Sequence, residues 1–248
     1  MKDMLWIDFE TGGLDHNVHS ALSFAMIHTR GSEILHEWYT ELRPSPLVVE
    51  QQALSINKID ITKEGLDYPE FKKEYMTRIN VWFFGGSDWS KGFPKAKIKP
   101  SKDNMPIMAG HNAISFDRPW LRSILGNTYD GCYYHMVDTM VLGYFAKEVE
   151  LLNPEQDIKL GGLCEALKIE NTYGELHNSL VDIKMTFKLW LKLLELFGKP
   201  VGETRLCGEQ SVKSLAYLED EKQMDLNLQQ PLTQNGFISV AEVTGTRL

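Results

Sequence analysis

Apolar runs separated by turn residues dominate the first forty residues of the chain. Residues 4–9 form a short apolar run followed by Gly12-Gly13, a pattern typical of a buried strand that ends in a turn. Residues 21–28 and 33–42 are two further strand-like runs, and the Thr-Arg-Gly-Ser sequence between them has the composition of a hairpin turn. The pattern therefore predicts three antiparallel strands at the beginning of the chain.

After residue 46 the period of the pattern changes, and helical segments alternate with short strands. Helical spacing predicts helices over 47–56, 68–84, 115–125, 139–149, 160–167 and 179–197, and buried strands over 107–112 and 133–137. We expect Ser115 and Asp138 to be the N-caps of the third and fourth of these helices. Strands followed by alternating helices and strands are typical of an α/β domain with a mixed sheet.

Two regions depart from this pattern. Residues 85–106 are rich in glycine, proline and lysine and are expected to form a long loop inserted in the domain. Aromatic side chains beside lysines can hold a nucleic-acid strand by stacking on its bases and meeting its phosphates, although a solvated loop explains the same composition. The candidate residues for such binding are Trp89, Lys91, Phe93, Lys95, Lys97 and Lys99. The polar, weakly periodic segment 199–248 is interpreted as an appendage to a domain of residues 1–198.

Composition narrows the class of protein. The 248 residues are 43% hydrophobic and 24% charged, which is an ordinary globular balance. The chain has no run of about 18 apolar residues, so we expect no membrane-spanning helix. The three cysteines form no CxxC pair, and a reducing cytoplasm is the expected location. A net charge of −8 argues against a protein that coats long nucleic acids, but it is compatible with an enzyme that holds a few nucleotides with the help of metal ions.

Carboxylates stand out at three places in the pattern. Asp8 and Glu10 follow the first apolar run, and because side chains at i and i+2 of a strand share a face, both point to the same spot. Asp117 lies at the start of a predicted helix, and Asp182 lies among apolar neighbours in the last one. Acidic residues are rarely buried unless they are paired or bind a metal. Oxygen ligands favour magnesium or manganese, and two such ions can support hydrolysis of a phosphodiester, with a nearby histidine as the base.

Three motifs contain these residues, and they read Asp8-x-Glu10-Thr11-x-Gly13-Leu14, His111-Asn112-x-x-x-Phe116-Asp117 and His177-x-x-x-x-Asp182. Together they resemble the DEDDh branch of the DnaQ-like 3′–5′ exonuclease superfamily, over about residues 4–197. The resemblance implies an RNase H-like mixed sheet flanked by helices. It also implies that two metal ions are held by Asp8, Glu10, Asp117 and Asp182, and that His177 is the general base. The substrate-binding residues that it implies are Thr11, Gly12, Leu14, Asn112 and Phe116.

The sequence departs from the usual family pattern at positions that carry no ligand. Gly12 stands where a second threonine is common, and Ser179 and Ile183 stand where alanine is common. We expect the Gly12-Gly13 pair to let a substrate backbone come close, since glycine has no side chain. Asp138 is interpreted as a helix cap, and His111 as either a neighbour of the site or a core histidine.

The implied activity is a metal-dependent exonuclease that removes 5′-mononucleotides from the 3′ end of DNA. DNA is preferred over RNA in this interpretation, because the lysine-rich insertion suits a longer strand, and single-stranded DNA is the preferred form. Two alternatives stay open. The same chemistry on RNA would make the chain similar to oligoribonuclease, since the fold does not decide between the two sugars. A nucleic-acid-binding subunit with a vestigial site is the other alternative, although the complete carboxylate set argues against it.

The expected partner is the 3′ end of DNA or of RNA, and the expected cofactor is a pair of Mg²⁺ or Mn²⁺ ions. The sequence identifies no protein partner.

Overall fold

A computed structural model describes residues 2–86, 97–128, 130–174 and 176–198. Within them lies a five-stranded sheet in the order β3-β2-β1-β4-β5. Its strands are β1 (Met4–Thr11), β2 (Ala21–Arg30), β3 (Glu33–Glu41), β4 (Ile107–Gly110) and β5 (Met136–Asp138). The first three strands pair antiparallel, and β4 and β5 are added parallel to β1. The predicted mixed sheet is therefore confirmed.

Helices cover both faces of this sheet. They are α1 (Gln51–Asn57), α2 (Tyr68–Phe83), α3 (Asp117–Leu125), α4 (Thr139–Glu148), α5 (Leu160–Ala166) and α6 (Ser179–Leu196). The predicted cap Asp138 is confirmed, because its side chain accepts from the backbone N–H of Met140 at 3.0 Å. The prediction of Ser115 as the other cap is wrong. The N–H groups of Ser115 and Phe116 both donate to the carbonyl of Asn112, so Ser115 lies inside a preceding turn and Phe116 is the cap. Among the described helices, none is both long enough and apolar enough to cross a bilayer.

The two faces of β1 separate the core into layers. Leu5, Ile7 and Phe9 pack into one apolar cluster with side chains of α2 and α3. Trp6, on the opposite face, packs against Phe187 of α6. Because strand side chains alternate, Asp8 and Glu10 continue the Trp6 face towards α6. The predicted common face of these two carboxylates therefore holds.

The described part of the lysine-rich insertion lies towards the other end of the sheet. The carbonyl of Phe84 accepts from the N–H groups of Lys97 and Ile98 at 2.8 and 3.0 Å. The ring of Phe83 contacts His28, and His28 lies opposite Leu5 near the start of β1. Lys97 is therefore anchored away from the carboxylates, and the candidate Lys99 follows it by two residues. The candidates Trp89, Lys91, Phe93 and Lys95, like the segment 199–248, lie outside the described residues.

Candidate active site

Three elements bring four carboxylates to one end of the sheet. Asp8 and Glu10 lie near the end of β1, Asp117 is the first residue of α3, and Asp182 lies in the first turn of α6. The parallel pairing of β1 with β4 places the loop that follows β4, and then α3, at the same end of the sheet. The four residues that the motifs predict as metal ligands therefore converge.

A hydrogen bond fixes the start of α3 on β1. The Oδ1 atom of Asp117 accepts from the backbone N–H of Phe9 at 2.8 Å. This N–H is available because the paired residues of β1 and β4 extend only as far as Trp6. Asp117 is 3% exposed and bonds to the residue between Asp8 and Glu10. The helix therefore cannot shift along β1 without breaking a buried, charge-assisted bond.

The start of α6 is fastened to the sheet opposite Glu10. Ser23 of β2 is the residue that pairs with Glu10, and its hydroxyl shares a buried hydrogen bond with that of Ser179 (Oγ–Oγ 3.0 Å). Ser179 follows the N-cap Asn178, whose side chain accepts from two backbone N–H groups of the first turn. Asp182 lies one turn further along. The replacement of alanine by Ser179 thus supplies a direct link between the two elements that carry Glu10 and Asp182.

His177 lies at the edge of this carboxylate cluster. It precedes the N-cap of α6, has a positive φ of 68°, and its backbone N–H donates to Asp182 Oδ2 at 3.2 Å. One side-chain ligand atom each of Glu10, His177 and Asp182 lie within 4.8 Å of one another. His177 is exposed, so its imidazole can exchange protons with water while it stays beside the carboxylates.

Burial raises the pKa of each carboxylate in the cluster, and repulsion between the carboxylates adds to the effect at Asp8 and Glu10. Burial, and then the charges of Asp117, Asp182 and Glu10, raise the pKa of Asp8 well above its ordinary value. Burial raises the pKa of Glu10 to about 8, with Asp182 and Asp117 adding to the effect. Burial likewise raises the pKa of Asp117 to about 7 and that of Asp182 to about 6, against the opposing hydrogen bonds from backbone N–H groups. The ionised site therefore requires a cation.

The donor set fits a divalent cation. Every side chain at the centre of the cluster offers carboxylate oxygen, the ligand that hard cations prefer. The Oδ1 atom of Asp182 is buried and has no hydrogen-bond partner among the described residues. A buried unpaired oxygen is unfavourable unless something else binds it. A divalent ion bound by Asp182 and its neighbours would satisfy this atom and reduce the mutual repulsion of the carboxylates.

A cleft of about 230 Å³ opens beside Glu10. Of the five residues predicted to bind substrate, it is lined by Thr11, Leu14 and Phe116 but not by Gly12 or Asn112. Leu14 is 84% exposed, so the cleft has an open apolar rim. The opposite wall comes from α1, with Ala53, Ile56 and Asn57 among its residues.

The sequence did not identify this α1 wall. Asn57 is buried, and its Nδ2 atom donates to the backbone carbonyl of Thr11 at 3.1 Å. The side chain therefore braces the end of β1 at the point where the register with β2 shifts. The helical period of residues 47–56 indicated a helix, but an amide at the end of a short helix carries no signal of what it contacts.

The Gly12-Gly13 pair serves internal packing, which is a correction to the expectation of a close substrate approach. A Cβ on Gly12 would lie 2.7 Å from Val49 Cγ1 and 2.8 Å from the carbonyl oxygen of Val48. One on Gly13 would lie 2.5 Å from the ring of His19. Other residues of the protein thus fill the space left by the absent side chains. The backbone carbonyl of Gly12 also accepts a hydrogen bond from the backbone N–H of Glu50 at 2.6 Å.

Asn112 shapes the turn that leads to Asp117 and does not line the cleft. Its φ is 62°, a left-handed conformation that asparagine tolerates well. Its N–H and that of Ile114 donate to the two carboxylate oxygens of Asp138 at 2.9 and 3.1 Å. Asp138 therefore holds this turn as well as capping α4, in keeping with its predicted structural role. His111, at the start of the turn, is hydrogen-bonded to Thr139 through Nδ1 at 2.8 Å.

The link between Ser23 and Ser179 gives a first testable prediction. Ser23→Ala leaves the buried hydroxyl of Ser179 without this partner, so we expect a loss of about 1–2 kcal/mol in the free energy of unfolding. We expect Ser179→Ala to lose a similar amount, and the double variant to lose clearly less than the sum. Urea unfolding of the four proteins measures this coupling. Strictly additive losses would show that the two hydroxyls do not support each other.

Comparison with known proteins supports the fold. No family model matches the chain. A protein described as DNA polymerase III PolC-type, from Thermotoga maritima, is 25% identical over 210 residues, which are 84% of this chain and 13% of that polymerase. Its counterpart from Thermotoga petrophila is 23% identical over 210 residues, with the same shares of the two chains.

Several solved structures share the architecture of this chain. Exonuclease I of E. coli, solved in complex with a dT13 oligonucleotide, superposes with a TM-score of 0.56 over 91% of this chain and 46% of its own, at 19% identity. Exonuclease I of Methylocaldum szegediense gives a TM-score of 0.57 at 20% identity, over 79% of this chain and 40% of its own. This chain has the fold of exonuclease I. The RNase H-like sheet that the DnaQ-like motifs imply is thereby confirmed, and the chain spans less than half the length of these exonucleases.

Proposed function

We propose that the chain is a metal-dependent 3′–5′ exonuclease that acts on DNA, prefers single strands and releases 5′-mononucleotides. The observation that carries the proposal is the cluster of four mutually repelling carboxylates at the end of β1, with His177 beside it. Two kinds of similar protein support DNA as the substrate. The structures of exonuclease I include complexes with dT13 and dA16 oligonucleotides, and the sequence relatives are described as DNA polymerases.

In this proposal the four carboxylates of Asp8, Glu10, Asp117 and Asp182 hold two Mg²⁺ or Mn²⁺ ions. Such ions supply positive charge to the attacking and leaving oxygens of an in-line phosphoryl displacement. His177 accepts the proton of the attacking water, because an imidazole is well suited to proton transfer near neutral pH and this one lies within reach of Glu10 and Asp182.

The cleft beside Glu10 receives the terminal nucleotide in this proposal. Leu14 and Phe116 offer apolar surface to its base, and Thr11 lies near its 3′-hydroxyl. The hydroxyl of Thr11 donates to the carbonyl of Gly13 at 2.7 Å, which leaves its oxygen free to accept a further hydrogen bond. Asn57 holds the Thr11 backbone in place, so that the nucleotide meets a rigid strand end.

The experiment that tests the function uses two labels on one sequence. A 20-nucleotide single strand, as DNA and as RNA, carries fluorescein at its 5′ end in one preparation and on the base of its 3′-terminal nucleotide, with a free 3′-hydroxyl, in the other. We expect a ladder of shortened 5′-labelled products, and immediate release of the 3′ label as a mononucleotide, with magnesium or manganese but not with EDTA. DNA is expected to be the faster substrate, and faster cleavage of RNA would instead indicate an exoribonuclease. Binding without shortening of either strand would indicate a vestigial site.

We propose the cytoplasm as the location of the protein. Cys132 and Cys164 are both free and buried, which suits a compartment that keeps thiols reduced. Cys207 lies outside the described residues.

A further inference from the structure

A second cavity, of about 480 Å³, lies between α3 and the segment that leads into β5. Its wall includes Arg118 and Arg122 of α3, Met105, and the adjacent Tyr133 and Tyr134. None of these residues belongs to the carboxylate cluster or to the cleft beside Glu10. The combination of aromatic rings and guanidinium groups is nevertheless one that binds nucleic-acid strands.

The cavity carries positive charge although the chain has a net charge of −8. Arg118 donates to the backbone carbonyl of Tyr134 at 3.0 Å and to Asp130 Oδ2 at 3.4 Å, so the buried charge of Asp130 is balanced. Arg122 lies one helical turn later and is exposed. Within the described part of the chain no carboxylate pairs with Arg122. Its charge is therefore available to an anion such as a phosphate.

The tyrosines form an open stacking surface beside this charge. Tyr134 is 66% exposed, and its ring centroid lies 4.5 Å from that of Tyr133 and 3.9 Å from that of His135. The ammonium group of Lys2 lies 4.2 Å from the centroid of the Tyr133 ring. These contacts hold the rings in place, while most of Tyr134 remains in solvent. A base that stacks on Tyr134 would bury this surface without rearranging the protein.

The cavity lies within reach of the cleavage site. Asp117 and Arg118 are consecutive residues, so α3 contributes to both places. Met136, which follows the tyrosines, pairs with Met108, and Met108 pairs with Leu5. Leu5 precedes Asp8 and Glu10 by three and five residues, and Tyr134 precedes Met136 by two. Tyr134 is therefore about 17–23 Å from the level of the two carboxylates along the strand direction, at roughly 3.3 Å per residue. A few nucleotides of an extended strand bridge that distance.

We infer that this cavity binds the substrate strand a few nucleotides before its 3′ end, with a phosphate at Arg122 and a base on Tyr134. Arg118 is a positioning residue, because it holds the backbone of Tyr134 and neutralises Asp130. The polarity of the strand rests on the proposed function. The site would make binding stronger for long strands than for dinucleotides, which reach only the cleft beside Glu10.

The test compares two variants with two matched controls. Tyr134→Ala and Arg122→Gln change the cavity, whereas Tyr144→Ala removes a tyrosine of α4 that is 54% exposed and Lys192→Gln removes an exposed cation of α6. Affinity for 5′-fluorescein dT20 is measured by anisotropy in EDTA, as a function of salt. Hydrolysis of the dinucleotide dTpdT is measured with magnesium.

We expect Tyr134→Ala to weaken dT20 binding about fivefold to a hundredfold, as for loss of one stacked base. Arg122→Gln is expected to lower the slope of log affinity against log salt by about 0.7, the value for one phosphate contact on a single strand. Neither variant is expected to change kcat/KM for dTpdT, and the two controls are expected to behave like the wild type throughout.

Unchanged dT20 affinity and salt slope in both variants would overturn the inference, and would favour an acidic protein segment as the occupant of the cavity. An equal loss of dT20 affinity and of kcat/KM for dTpdT would also overturn it, because the residues would then act on the cleavage site. If the wild type hydrolyses nothing but the variants bind dT20 more weakly, the proposed function fails and the strand-binding surface stands.

Discussion

Asp182→Asn is expected to remove nuclease activity and, at the same time, to raise the thermal stability of the metal-free protein at pH 8. The Oδ2 atom of Asp182 accepts the N–H of His177, and an asparagine oxygen can do the same. The buried Oδ1 atom has no partner among the described residues, and the charge of Asp182 raises the pKa values of Asp8 and Glu10, so an uncharged amide at this position would relieve repulsion. The substitution therefore removes a metal ligand and relieves repulsion in one step.

The two effects have different pH signatures. Activity is expected to fall about 10²- to 10³-fold or more, since one charge-stabilising group of a preorganised site is lost. The gain in Tm is expected only above about pH 6. Burial raises the pKa of Asp182 to about 6, so at pH 5 the native wild-type side chain is already protonated and little repulsion remains to be relieved.

Turnover of the labelled single strand and thermal unfolding in EDTA, at pH 5 and pH 8, measure both effects. Glu148→Gln is the matched control, because it removes one exposed carboxylate of α4 and should change neither activity nor the pH dependence of Tm. An active Asp182→Asn protein would refute the assignment of Asp182 as a ligand. A lower Tm at pH 8 would show that the carboxylate stabilises the metal-free site, contrary to the electrostatic argument.

The carboxylate cluster could be predicted because its signals are local. The period of two in β1 places Asp8 and Glu10 on one face, and an acid among apolar neighbours in a strong helix marks Asp182. Both properties depend on the residue's own element. The mixed sheet could be predicted from the order of elements along the chain, since three antiparallel strands followed by alternating helices and strands are typical of it.

The structural features that could not be predicted from the sequence depend on contacts between distant segments of the chain. The Ser23–Ser179 hydrogen bond joins residues 156 positions apart, and Asn57 reaches Thr11 across 46. The reason for Gly12 is equally remote, because only the fold shows Val49 against it. Ser115 has the chemistry of a helix cap, but the turn tied to Asp138 determines where α3 begins. Local propensity is overridden at each of these positions by tertiary packing.

The metal-free protein is expected to lose stability as the pH rises from about 4 to 8, and a divalent metal is expected to restore it. Burial and neighbouring charges raise the pKa values of Asp8, Glu10, Asp117 and Asp182 in the folded chain. Below pH 4 these groups are protonated in both the folded and the unfolded chain, and they add no difference. As the pH rises further, the unfolded chain releases its protons first, so the folded chain binds more protons and its stability falls until its own carboxylates ionise, which for Asp182, Asp117 and Glu10 occurs at about pH 6, 7 and 8.

Metal binding reverses this trend because ions and protons compete for the same oxygens. At pH 5.5 the folded carboxylates are largely protonated, and 5 mM magnesium or manganese should change Tm little. At pH 8.5 Asp117 and Asp182 are ionised, and Glu10 is largely so. A metal present at a hundred times its dissociation constant then adds about 2.7 kcal/mol, or about 5–10 °C in Tm for a domain of this size.

The difference in Tm with and without metal is the quantity to measure. Burial lowers the pKa of His28, so this residue makes the stability rise with pH, opposite to the effect of the carboxylates. The contribution of His28 is the same with and without metal and therefore cancels in the difference. Asp8→Asn should flatten the metal increment across the whole pH range, whereas the Glu148→Gln control should leave it unchanged. An increment that is as large at pH 5.5 as at pH 8.5 would mean that the metal binds elsewhere, because the cluster at the end of β1 binds protons in that range.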